Sequence, residues 1–215
     1  MSKPWLGPVV LAAMAVFALA AYPSLPDQVP THWGLTGEAD DWMPKWPGAF
    51  LPVSLGAGVW VLLLVLRRID PRRAHYESFR GTFWLLLNVL MLFFALLQVV
   101  SLGTALGWPL DAERVIPLAV GLLFIALGSY LPRVRSNWWI GIRTPWTLES
   151  ERVWRETHRL AGRTFTVGGL LTMGAALLPR ELRPLVALLG LFVAGFIPVV
   201  YSYLAYRRAQ RERHA

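Results

Sequence analysis

The chain has 215 residues, 55% of them hydrophobic and only 16% charged, where a soluble domain carries about a quarter charged residues. The net charge of +8 is mostly Arg, gathered at the ends of apolar runs; with no nucleic-acid-binding motif beside it, that pattern reads as membrane topology and anionic-lipid contact, not direct nucleic-acid binding. The absence of cysteine excludes disulfides, Cys-ligated zinc and thiol catalysis.

The first apolar run, residues 5–21, begins after Lys3. Ala18-Leu19-Ala20 resembles a small-residue cleavage site, but the run fits the later topology as a retained helix. Residues 22–48 follow as a Pro- and Gly-rich loop with Asp27, Glu38, Asp40 and Asp41 set against Lys45. That composition predicts a loop ordered by turns more than by helix or strand. Apolar runs at 50–66, 82–102, 115–131, 163–178 and 184–206 complete a set of six. Each approaches the roughly 20 residues that a membrane crossing needs, and backbone bonding in lipid makes them helices. The fifth is short, so its helix should start ahead of its apolar part.

Placing the N-terminus in the cytoplasm puts 17 Lys and Arg inside and 4 outside, a strong positive-inside bias. The expected fold is an all-α membrane protein of six transmembrane helices with both termini cytoplasmic. It has one ordered extracytoplasmic loop and one cytoplasmic interfacial amphipathic helix. The chain divides into 1–66 (two spans and the acidic outer loop 22–48), 67–131 (a basic inner loop and two spans) and 132–215 (an Arg/Trp stretch at 136–162, two spans and a basic tail).

Asn88 and Gln98 in the third span are costly in lipid and predict interhelical hydrogen bonds. Gly121, Gly128, Gly168 and Gly169 predict close helix approach, and Pro198 a kink. No ionisable residue sits in mid-span, which argues against an ion-coupled transporter.

The Arg/Trp stretch holds Trp138, Trp139, Trp146 and Trp154 among arginines. Thr147 is the expected helix cap, with Glu149 in the first turn. Val153, Trp154, Thr157, Leu160 and Ala161 then share one face, and Arg152, Arg155, Glu156, Arg159 and Arg163 the other, as in a helix lying on the inner leaflet. His158 on that helix suits a headgroup or packing contact, or a pH sensor. On the outer side, His32 with Asp27, Glu38 and Asp40 has the vocabulary of a zinc site or of acid–base catalysis, without a metal-motif spacing. The alternative to a loop-ordering role for His32 is therefore a membrane enzyme acting at the outer face. Nothing in the sequence asks for a cofactor.

The segment Asn137-Trp138-Trp139-Ile140-Gly141-Ile142-Arg143-Thr144-Pro145-Trp146-Thr147-Leu148, then Val153-Trp154, Thr157-His158-Arg159 and Gly162, resembles the signature of the SdpI family. With the two spans that follow, the resemblance covers roughly the C-terminal half. Leu25-Pro26, Val29-Pro30-Thr31-His32, Gly37-Glu38-Ala39-Asp40 and Lys45 resemble a small domain of unknown function that often precedes the SdpI-type half. The resemblance implies a bacterial multi-pass immunity protein of the cytoplasmic membrane, acting against an extracellular cannibalism-type peptide toxin. It also implies, in one branch, a relay of toxin presence to a cytoplasmic transcriptional autorepressor held at the membrane. It makes Pro26, Pro30, His32, Gly37, Asp40 and Lys45 the expected outer ligand-binding residues. The expected cytoplasmic motif is Asn137, Gly141, Arg143, Thr144, Pro145, Trp146, Leu148, Trp154, His158, Arg159 and Gly162.

Overall fold

The computed structural model describes residues 3–34 and 38–214; Gly37 lies outside the described residues. Helix α1 (Leu6–Ala21) leads through a short turn into two antiparallel strands, β1 (Gln28–Trp33) and β2 (Ala39–Pro44). Then come α2 (Lys45–Ile69), the single turn α3 (His75–Ser78), α4 (Arg80–Ala105), α5 (Ala112–Tyr130), the short α6 (Pro145–Glu149), α7 (Glu151–Ala175) and α8 (Arg183–His214).

Among the described residues, five stretches are long and apolar enough to cross a membrane: Leu6–Ser24, Lys45–Ile69, Arg80–Ala105, Ala112–Arg133 and Arg183–Glu212. The chain is a multi-pass membrane protein. The sixth expected span, 163–178, is the second half of α7, whose first half is charged, and α7 as a whole is not among the five. The loop 22–48 departs from expectation. It forms a β-hairpin, because Val29 packs beneath it fully buried and Pro30 passes its carbonyl to the Ser101 hydroxyl of α4 at 2.6 Å. The register slips around His32, between Pro30 and Trp33.

The polar residues of α4 reach back to the first helix and its approach. Gln98 Nε2 donates to the Met14 carbonyl of α1 at 2.7 Å, the interhelical bond expected of it, whereas Asn88 Nδ2 donates to the carbonyl of Lys3, ahead of α1, at 3.0 Å. In the second half, α7 is packed between α5 and α8. Glycines make those contacts possible: a Cβ on Gly121 would lie 2.5 Å from the Gly169 carbonyl, and one on Gly128 would lie 2.8 Å from that of Gly162. Gly168 and Gly190 make the matching close approach between α7 and α8. Pro198 lies inside α8, which continues past it to His214.

Candidate functional site

Two regions collect the residues singled out above: the hairpin end and the opposite, Arg-rich end. At the Arg-rich end the signature stretch is a folded knot and not a membrane-surface helix. Asn137, fully buried, is its organiser. Its Oδ1 accepts from the Trp139 and Ile140 amides at 2.9 and 2.7 Å, and its Nδ2 donates to the Arg135 and Ile140 carbonyls at 2.8 and 3.0 Å. Gly141 follows with φ +111°, a conformation that L side chains rarely adopt, and a Cβ there would run into His158 Nε2. The Ile142 amide donates to that same Nε2 at 3.0 Å, while His158 Nδ1 donates to the Trp154 carbonyl at 2.8 Å. Both ring nitrogens are thus committed to the neutral tautomer that protonates Nδ1. Burial drives the His158 pKa down to about 4, only partly offset by the Trp154 bond. Trp154 stacks on this ring at 4.0 Å and donates Nε1 to the Val134 carbonyl at 2.8 Å.

The expected cap at Thr147 is corrected by the structure. Thr144 caps α6, with Pro145 in its first turn and Thr147 at the third position closing a reciprocal capping box; Ser150 caps α7 separately. One residue of extended backbone at Ser150 breaks what reads as a single helix into two. Thr144 Oγ1 lies 3.1 Å from Ser202 Oγ, and Trp146 packs on Tyr203 at 5.1 Å, so α6 is pinned to α8. The apolar face of α7 is also corrected. Val153, Trp154, Thr157, His158 and Ala161 are buried against protein, not lipid, while Arg152, Arg155, Arg159 and Arg163 are exposed as expected. Gly162 abuts Pro132 and Gly128. Arg143 is exposed and donates to the Trp138 carbonyl at 3.0 Å, and Leu148 offers its carbonyl to Arg72 Nη2 at 2.6 Å.

Sequence reasoning missed the residues that hold this knot to the first half of the chain. Asp70, 1% exposed, accepts from the Arg72 amide at 2.7 Å, the Tyr76 hydroxyl at 3.0 Å and the Trp138 amide at 3.0 Å. Tyr76 sits between Asp70 and Asn137 Oδ1, and burial together with the Asp70 carboxylate pushes its hydroxyl pKa well above the usual range. Arg72 also reaches the Ser136 hydroxyl, and His75 Nδ1 donates to the Ser136 carbonyl at 2.6 Å. The available signal was an aspartate set between two Arg pairs, Arg67-Arg68 and Arg72-Arg73, just after an apolar run and before Pro71.

At the hairpin end, His32 Nδ1 donates to Asp40 Oδ1 at 2.6 Å, with both side chains at least half exposed. Glu38 pairs instead with Arg180, which also lies 3.1 Å from Glu113, itself 2.9 Å from Arg183. Among the described residues no three His, Asp or Glu side chains gather as a metal would need. Lys45 closes the loop: its amide donates to the Asp27 carbonyl at 2.8 Å, and its ammonium lies over Tyr22 at 4.9 Å and near the Pro23 carbonyl. Pro26 is exposed and Pro30 buried at the strand. Beneath β1 an apolar cavity of about 300 Å³ opens between α2, α4 and α5, lined among others by His32, Trp33, Leu55, Phe94, Leu97 and Val120. Trp33, Ile116 and Val120 also line a smaller cavity of about 160 Å³ that reaches Glu113 and Arg183.

Residues 133–202 match the SdpI/YfhL protein family, and residues 9–57 match a domain of unknown function, DUF1648. The chain is 22% identical over 213 residues to the immunity protein SdpI of Bacillus subtilis (strain 168), an alignment covering 99% of this chain and 100% of that protein. No solved structure matches it. Residues 133–202 are thus similar to the SdpI/YfhL family and residues 9–57, ahead of them, to DUF1648.

Proposed function

We propose that this chain is an immunity protein of a bacterial cytoplasmic membrane, protecting the cell from an extracellular peptide toxin. The observation that carries the reading is the apolar cavity roofed by an acidic hairpin. Asp40 and Asp41 on β2 would draw a cationic peptide. The cavity, about 300 Å³, matches one large apolar side chain, or a short run of them, that the peptide brings to the membrane surface. The full-length likeness to a protein named for immunity supports the same reading.

In this account six helices span the membrane, the second half of α7 being the sixth. The 17-to-4 distribution of Lys and Arg supports the hairpin outside and both termini inside. The Arg-rich end would then meet the cytoplasmic autorepressor. The bonds from Asp70 and Arg72 to residues 136–148 are the mechanical link by which a shift of α2 or α4 would reach that surface.

The test is survival of a sensitive host challenged with the family's cannibalism-type peptide. Cells making the wild-type chain should survive. His32→Ala should weaken protection, and Arg143→Ala should spare protection while weakening any relay, both at matched membrane levels. Equal killing with and without the wild-type protein would sink the immunity reading.

A further inference from the structure

We propose that the junction of α2, α3 and α4 is a specific binding site for the phosphate group of an anionic phospholipid. A pocket of about 770 Å³ opens there, lined by Leu64, Arg67, Arg68, Arg73, Glu77 and Trp84. Three arginines face one carboxylate, so the pocket carries a net positive charge.

The arginines of this segment have distinct roles. Arg72 is consumed by the fold, bound to Ser136 and to the Leu148 carbonyl. Arg67 is anchored: it donates to Glu77 at 2.9 Å and lies over the rings of Tyr76, Phe83 and Trp84 at 5.9, 5.0 and 5.8 Å. Arg68 and Arg73 are exposed and, among the described residues, have no ion-pair partner. Two free guanidinium forks beside a third already paired with Glu77 make a cradle that phosphate oxygens can fill bidentately.

Depth in the bilayer selects the source of the phosphate. Arg67 and Arg68 end α2 and Trp84 lies one turn into α4, and both helices are long and apolar enough to cross a membrane. The pocket therefore lies where an apolar span gives way to charge, the level of lipid headgroups, with an indole in its wall as interfacial sites have. Leu64 at its inner end offers apolar surface to the first part of an acyl chain. This site is independent of the toxin reading and lies at the other end of the molecule from the hairpin.

The experiment uses the full chain, purified in a neutral detergent, with native mass spectrometry to count retained lipids. Three probes are added separately: phosphatidylglycerol, phosphatidylcholine and inorganic phosphate. Wild type should retain phosphatidylglycerol over phosphatidylcholine, and Arg68→Gln/Arg73→Gln should reduce that retention about thirtyfold, on the scale of two lost cation–headgroup contacts. Neither side chain holds the fold, and an unchanged melting temperature without lipid checks this. Equal retention by wild type and the double variant, or no preference for phosphatidylglycerol, overturns the site. Saturation by inorganic phosphate that abolishes lipid retention would also overturn it, because the pocket would then be a free-anion site.

Discussion

The neutrality of His158 has a measurable consequence for stability. Its ring is buried, donates from Nδ1 to Trp154 and accepts at Nε2 from the Ile142 amide. A proton added to Nε2 would point at that amide hydrogen. The folded pKa of about 4 lies below the ordinary 6.5 of the unfolded chain. Above pH 6.5 both states are neutral and nothing is lost. As pH falls from 6.5 towards 4 the unfolded state takes up a proton that the folded state refuses, so stability falls. Below about 4 both states are protonated and this contribution is constant. Two and a half units at about 1.4 kcal/mol each amount to about 3 kcal/mol. On the scaling for proteins of this length that is roughly 10 °C in melting temperature. The assay is thermal unfolding in detergent from pH 7.5 to 4, comparing wild type with His158→Gln. The carboxylates titrate in both proteins, so the difference between the two curves isolates His158. Wild type should lose its advantage over the variant across that window. Parallel curves would show that the ring is not held neutral and that the knot around it is drawn wrongly.

Other substitutions test other parts of the account. Gly141→Ala places a Cβ against His158 at a positive φ and should cost about 2–3 kcal/mol, read as a lower melting temperature. Asp70→Ala strips the acceptor from the Arg72 and Trp138 amides and the Tyr76 hydroxyl and should cost about 3 kcal/mol, with faster proteolysis between residues 133 and 150. Gly169→Val drives a side chain into the Gly121 carbonyl and should separate α5 from α7 at about 3 kcal/mol, seen as aggregation during purification.

The helices were legible because membrane spans announce themselves through length and composition, and α1, α2, α4, α5 and α8 all contain the apolar runs read from the sequence. The hairpin was not. Pro30 and Pro44 and the glycines between the strands resemble turn punctuation, and what holds β1 in place, Val29 in the core and Pro30 bonded to Ser101, is contact with residues about 70 positions away. The periodicity of α7 was correct and its solvent was not. The same face of Val153, Trp154, Thr157 and Ala161 suits a membrane surface or a helix partner, and only packing against α5 and α8 decides. The motif residues were identified through resemblance, but their roles depend on non-local bonds. Asn137 and Gly141 read as loop residues until the Ile142 amide is seen to land on His158. Asp70 and Arg72 went unnoticed because a charged residue after a span normally faces water.

The most direct test of the central claim is binding of the family's peptide toxin to the full chain in lipid nanodiscs, comparing wild type with Leu97→Trp, which fills the cavity beneath β1. Saturable binding by wild type, weakened at least tenfold in a Leu97→Trp protein of unchanged melting temperature, is the predicted result. Equal binding by both proteins would remove the cavity from the account, and no binding by wild type would contradict the immunity function itself.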